Sequence, residues 1–284
     1  DEAKATFPNA IEGQIVNVVI TPKNFGRIAA QKAKQVVVQK IREEERKVLY
    51  NQYFAKEHDI VTGIVQRYTG NNISINLGKV DALLSEAEQV KTERFRSTER
   101  IKLYVVEVKD TSKGPRITVS RTHPDLVKRL FESEVTEIKD GTVEIKSISR
   151  EPGSRTKIAV YSNNPEVDAV GACVGVNRSR VEAVVDELRG EKIDIVLWDE
   201  DMTTFVKNAL NPAEVISVDI IENEEERIAR VVVNEDQLSL AIGKKGQNSR
   251  LAAKLCGIKI DIHTAESYED DQDEYEEDEI EGEE

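Results

Sequence analysis

Apolar positions along the chain change period several times. Residues 11–20 (IEGQIVNVVI) read as a strand, and Thr21-Pro22 punctuates its end. From Asn24, a fitting N-cap, to about Lys56 the apolar residues recur at steps of three and four. Phe25, Ile28, Ala29, Ala33, Val36, Val37 and Ile41 predict one apolar stripe along a long helix. Beyond Glu57 the runs become short and β-rich: 60–68 (IVTGIVQRY), 72–77 (NISINL), 79–84 (KVDALL), 101–109 (IKLYVVEVK) and 116–120 (RITVS). Gly70-Asn71, Gly78 and Ser112–Pro115 separate them. Five such strands in about 65 residues predict a small barrel of the OB type, with an open five-stranded sheet as the alternative.

After His123-Pro124 the pattern predicts a short helix at 125–133, then strands near 142–149 and 155–161 around the turn Glu151-Pro152-Gly153. A repeat follows. Residues 175–195 (GVNRSRVEAVVDELRGEKIDI) and 243–262 (GKKGQNSRLAAKLCGIKIDI) each open on a glycine-led polar loop and continue as an apolar-periodic helix. Each closes on Lys-Ile-Asp-Ile as a strand. Strands at 214–221 and 227–233 precede the second copy as 142–149 and 155–161 precede the first. The offset of 68 residues between Gly175 and Gly243 is the size of a domain, longer than a solenoid period. The prediction is two tandem αββααβ modules.

Composition narrows the chemistry. The 284 residues carry 54 acids against 40 bases, a net charge of −14. Residues 265–284 hold 13 acids and no Lys or Arg, which leaves 40 bases and 41 acids for the rest. The acidity therefore belongs to a tail and does not exclude a nucleic-acid partner for the body. That tail cannot bury enough apolar surface to fold alone and is expected to be disordered. Two roles stay open for it: a solubilising appendage, or a phosphate mimic lying over Lys244, Lys245 and Arg250. No apolar run approaches the ~20 residues that span a bilayer, and no secretory segment opens the sequence. Cys173 and Cys256 form no disulfide framework, which points to a reducing compartment. The single methionine, Met202, indicates a processed or trimmed start. His58, His123 and His263 are scattered, and neither cysteine stands at metal-ligand spacing. Gly243-Lys244-Lys245-Gly246 lacks the spacing of a nucleotide-binding P-loop. An enzyme is not expected, and no cofactor or metal is implied.

The two glycine-led loops suit a different task. A G-x-x-G between helices removes side chains where backbone must approach a ligand, and aims amide N–H groups and a helix start at phosphate. Lys244 and Lys245 make the second loop positive, with Arg250 and Lys254 beyond it, and the companion strand can read unstacked bases. This is the KH mode of single-strand recognition.

The sequence resembles the NusA family of bacterial transcription elongation and termination factors. The resemblance rests on Phe25-Gly-Arg-Ile-Ala-Ala, Ala33-Lys-Gln, Ser120-Arg-Thr-His-Pro, Arg150-Glu-Pro-Gly-Ser-Arg, Val170-Gly-Ala-Cys-Val-Gly, Gly190-Glu-Lys-Ile-Asp-Ile and Gln237-Leu-Ser-Leu-Ala-Ile-Gly-Lys-Lys-Gly-Gln-Asn. It implies a cytoplasmic protein with three kinds of partner: RNA polymerase, the single-stranded emerging transcript, and other transcription factors. It implies no membrane. The expected architecture is multi-domain α+β: the end of an α/β head with a connector helix (1–56), an S-one-like OB barrel (57–122), two type II KH domains (123–200 and 201–264) and the acidic tail.

Three departures from the family pattern qualify the sites. The polymerase-binding head is represented only from its last strand. The first loop reads Gly175-Val176-Asn177-Arg178, with arginine in place of the second glycine, which loses backbone freedom and adds a guanidinium able to fork a phosphate. The barrel lacks an aromatic pair for base stacking. Tyr68 is its one platform, with Arg67, Lys79 and Arg121 as backbone contacts. Two readings stay open for that face, weak RNA contact or a spacer facing protein. The expected RNA-binding set is Gly243, Lys244, Lys245, Gly246, Gln247, Asn248 and Arg250 in the second loop, and Gly175, Val176, Asn177, Arg178 and Arg180 in the first. Arg150, Arg155 and Lys157 around the Pro-Gly turn, with Tyr68 and Arg121, complete it. An RNA-processing component and a ribosome-associated scaffold are the competing readings.

Overall fold

The computed structural model describes residue 15, residues 26–222 and residues 227–266. The strand expected at 11–20, the Asn24 cap and the acidic stretch beyond residue 266 lie outside them. The chain divides into two compact units, Asp1–Val48 and Leu49–Glu284. The boundary falls within helix α1 (Arg27–Phe54). At ~1.5 Å per residue α1 is about 40 Å long. Of its predicted stripe, Val36, Val37 and Ile41 remain exposed.

In the second unit, five strands close into a barrel of order β1-β2-β3-β5-β4, which settles the choice between barrel and open sheet. They are β1 (Ile60–Thr69), β2 (Asn72–Asn76), β3 (Asp81–Leu84), β4 (Arg100–Lys109) and β5 (Arg116–Ser120). Strand alternation explains the filling: Val61, Val65, Ile73, Ile75, Leu103 and Ile117 point inward and are buried. Gly63 permits close strand crossing, since a Cβ there would sit 2.2 Å from Ile75 Cγ2. Tyr53, from the end of α1, adds its ring to this core and donates to the Leu77 carbonyl at 2.8 Å.

Two copies of one αββααβ unit follow. The first runs α2 (Pro124–Glu134), a short α3 (Thr136–Lys139), β6 (Val143–Glu151), β7 (Arg155–Ser162), α4 (Ala169–Val174), α5 (Ser179–Glu187) and β8 (Lys192–Leu197). The second runs α6 (Met202–Ala209), β9 (Val215–Glu222), β10 (Arg227–Val233), α7 (Glu235–Ile242), α8 (Gln247–Cys256) and β11 (Lys259–Thr264). Helix α2 starts where its residues dictate. His123 caps the Asp125 N–H, and Pro124 occupies the first turn, where its missing N–H costs nothing.

In each sheet the middle strand pairs antiparallel with the first and parallel with the last. Parallel pairing requires a crossover, which the two loop-bearing helices supply. The modules are packed together: Ala159 and Val196 of the first sheet belong to the second module's core. Trp198 packs against that core too, edge-on to Tyr161 with centroids 5.4 Å apart. Both cysteines are buried, and desolvation pushes their thiols up to about 12, away from reactive thiolate.

Candidate nucleic-acid interface

The loops that join α4 to α5 and α7 to α8 have one backbone. Gly175 (φ 74°, ψ 171°) and Gly243 (φ 74°, ψ 172°) end the first helices. Asn177 (φ 52°) and Lys245 (φ 56°) are left-handed, and so are Arg178 (φ 64°, ψ 12°) and Gly246 (φ 72°, ψ 21°). Arginine in place of the second glycine therefore leaves the turn unchanged and is held in a conformation that disfavours L-residues by ~1–2 kcal/mol. Gly243 is required for space as well as for φ, because a Cβ would lie 2.8 Å from Asn248 Cβ and 2.9 Å from its backbone nitrogen. Neither α5 nor α8 has a side-chain N-cap; their first residues, Ser179 and Gln247, donate their N–H groups to the loop carbonyls of Val176 and Lys244. Lys244, Lys245, Val176, Asn177 and Arg178 are exposed. Arg178 lies 3.6 Å from Glu182, a solvent-exposed pair of little weight.

Beside the first loop an open cleft of about 380 Å³ has an apolar floor that includes Val174, Val181 and Ile193, with Arg155 and Arg178 at its rim. A second cleft of about 410 Å³ reaches Gly243 and Lys244. Arg155 and Pro212 line both, so the two clefts are neighbours at the junction of the modules. Apolar walls with a few cations suit unstacked bases and their phosphates.

Several expected contacts point elsewhere. Arg121 is fully buried between barrel and first module, where it ion-pairs with Glu93 and Glu187 and donates to the carbonyls of Lys102 and Glu187. Arg150 is 1% exposed, forked onto Glu191 at 2.9 and 3.0 Å. Lys157 is enclosed between the modules, 3.0 Å from the Asn211 carbonyl and 3.1 Å from Asp194. Desolvation lowers its pKa, with Asp194 opposing. Asn248 is buried and donates to the carbonyls of Leu210 and Ala241. Arg180 braces its loop through the Ala172 carbonyl at 2.7 Å and Glu137 at 2.9 Å. These five serve the fold, because each is held by protein acceptors; three are buried and the side chain of Arg150 is enclosed. Arg155, although paired with Asp194 at 2.7 Å, keeps a face on both clefts. Gln247 and Arg250 are tied to Glu151 at 2.7 and 2.9 Å. Tyr68 is half exposed and donates to the Phe95 carbonyl at 3.0 Å.

Sequence reasoning missed Glu151 and Ser154, which hold α8, and the Asn211-Pro212 wall of the clefts. The Glu-Pro-Gly-Ser motif marked the turn without revealing what it touches.

Comparison with known proteins agrees over most of the chain. Residues 1–47 match a family model described as the NusA N-terminal domain. Residues 121–198 and 202–270 match the NusA-like first and second KH domains. The transcription termination/antitermination protein NusA of Halalkalibacterium halodurans is 57% identical over 92% of this chain and 68% of its own. The proteins of the same name from Bacillus subtilis and Thermus thermophilus are 56% and 44% identical over 92% and 93% of this chain, and 70% and 68% of theirs. By family models at both ends and by identity across its length, the chain belongs to the NusA family.

Proposed function

We propose that the chain is a non-enzymatic RNA-binding factor of transcription termination and antitermination. It grips single-stranded RNA along the two loops and the clefts beside them. The observation that carries this reading is the pair of matching loops, each beside a cleft, with Lys244 and Lys245 exposed and without a side-chain partner among the described residues. The name of the relatives supplies the process, and no feature of the described residues favours RNA processing or a ribosomal scaffold over it. Arg178 and Arg155 supply further phosphate contacts in this reading. Tyr68 offers the barrel's stacking surface. The N-terminal segment carries the surface to RNA polymerase, in the cytoplasm; no described helix is long and apolar enough to cross a membrane.

The test is the pair Lys244→Asp and Lys245→Asp, measured on single-stranded RNA across a salt series. Each lost phosphate contact should flatten the dependence of log affinity on log salt by roughly 0.7. An unchanged affinity and slope in a folded protein would exclude the second loop. A parallel pull-down with purified polymerase should retain this chain, and failure to do so would remove that partner.

A further inference from the structure

We infer that Glu151, in the first KH module, is the positioning residue for the loop of the second. This deepens the proposed function and rests on its reading of that loop. One carboxylate oxygen accepts from Arg250 Nε at 2.9 Å and lies 2.8 Å from the same guanidinium's Nη2. The other accepts from Gln247 Nε2 at 2.7 Å, and that amide also donates to Ser154 Oγ at 2.7 Å. Arg250 Nη1 in turn donates to the carbonyl of Lys245 at 3.0 Å. A chain of bonds thus runs from the hairpin turn of one module to the left-handed residue at the centre of the other module's loop.

The anchor is rigid. The Gly153 N–H donates to Glu191 at 2.7 Å, and Glu191 is itself forked by the buried Arg150. The turn also presses against the barrel. Gly153 has φ +76°, and a Cβ there would lie 2.5 Å from Val90 and 2.3 Å from Thr92. Barrel and second loop therefore meet at the same turn. The first loop is built differently. Counted from the leading glycine, its residue equivalent to Arg250 is Glu182, which pairs within its own turn to Arg178. The second loop takes its support from the neighbouring module.

The sign of the effect separates positioning from charge. Removal of a carboxylate beside a phosphate-binding surface should, through relief of Coulomb repulsion alone, tighten RNA binding. Loss of a clamp should weaken it. Glu151→Ala and Arg250→Lys break the chain from opposite sides, the second without loss of charge. Both are compared with the parent on a fluorescein-labelled 12-nucleotide single-stranded RNA, and by amide hydrogen exchange of residues 244–250 without RNA.

The expected result is a 3–10-fold loss of affinity for each, faster exchange in the loop, and an intermediate Glu151→Gln. In a Lys244→Asp/Lys245→Asp background the Glu151→Ala effect on affinity should vanish. Unchanged exchange, or tighter RNA binding by Glu151→Ala, overturns the proposal. The exchange arm reads the clamp even if the parent binds no RNA, so failure of the clamp and failure of RNA binding are separate outcomes. Should Glu151→Ala not fold, Arg250→Lys decides.

Discussion

Arg178 takes the place of a glycine in a left-handed position. The sequence announces a lost glycine, with the expected loss of backbone freedom and gain of a guanidinium at the loop. The backbone follows the second loop within about ten degrees at the leading glycine, the left-handed residue and the position after it, with arginine at φ 64° where glycine sits at φ 72°. A guanidinium at the loop is thus kept at the expense of a left-handed side chain. Arg178→Gly should relieve that conformation and raise stability by ~0.5–1 kcal/mol after the glycine's own entropy is counted. Arg178→Ala keeps the strain. Both lose the charge, so both should flatten the RNA salt slope by roughly 0.7. Thermal melts and salt titrations of the three proteins check this; a slope equal to the parent's would leave Arg178 as a partner of Glu182 alone.

Elements were legible where periodicity is strong. The barrel strands alternate, the loop helices repeat every three to four residues, and the KIDI strands announce the duplication. What stayed hidden is which cations turn inward. Arg121, Arg150 and Lys157 have the composition of a nucleic-acid surface. Their carboxylate partners lie 66, 41 and 37 positions away in sequence, at Glu187, Glu191 and Asp194, and only folding brings them together. A local pattern carries no trace of such pairings. The α8 clamp is of the same kind, with Glu151 99 positions before Arg250. The hydrogen bond from Gln247, then Arg250, holds the Glu151 carboxyl below its ordinary 4.5. A depressed carboxylate pKa stabilises the fold in full above the unfolded value and loses that contribution as pH falls through the folded value. The clamp should therefore hold from neutrality to about pH 4.5 and release below it. Loop exchange, corrected for its intrinsic pH dependence, should rise through that window in the parent and stay flat in Glu151→Gln.

At the scale of the whole second unit, barrel and first module share one buried joint. Arg121 has 0% side-chain exposure, Glu93 2%, and Glu187 closes the triad from the end of α5. Arg189 beside it pairs with Glu99 and stacks over Phe95 at 5.4 Å. Removal of one member of a buried ion set strands the others, at ~3–5 kcal/mol. Arg121→Met should lower stability by that amount in denaturant titrations. A loss below about 1 kcal/mol would mean that water replaces the guanidinium.

The joint fixes one end of helix α5. Its N-terminus carries the first loop, and its C-terminus, ~13 Å away at 1.5 Å per residue, is bolted to the barrel through Glu187. In the proposed reading, a load on RNA held at that loop would reach the barrel through this helix.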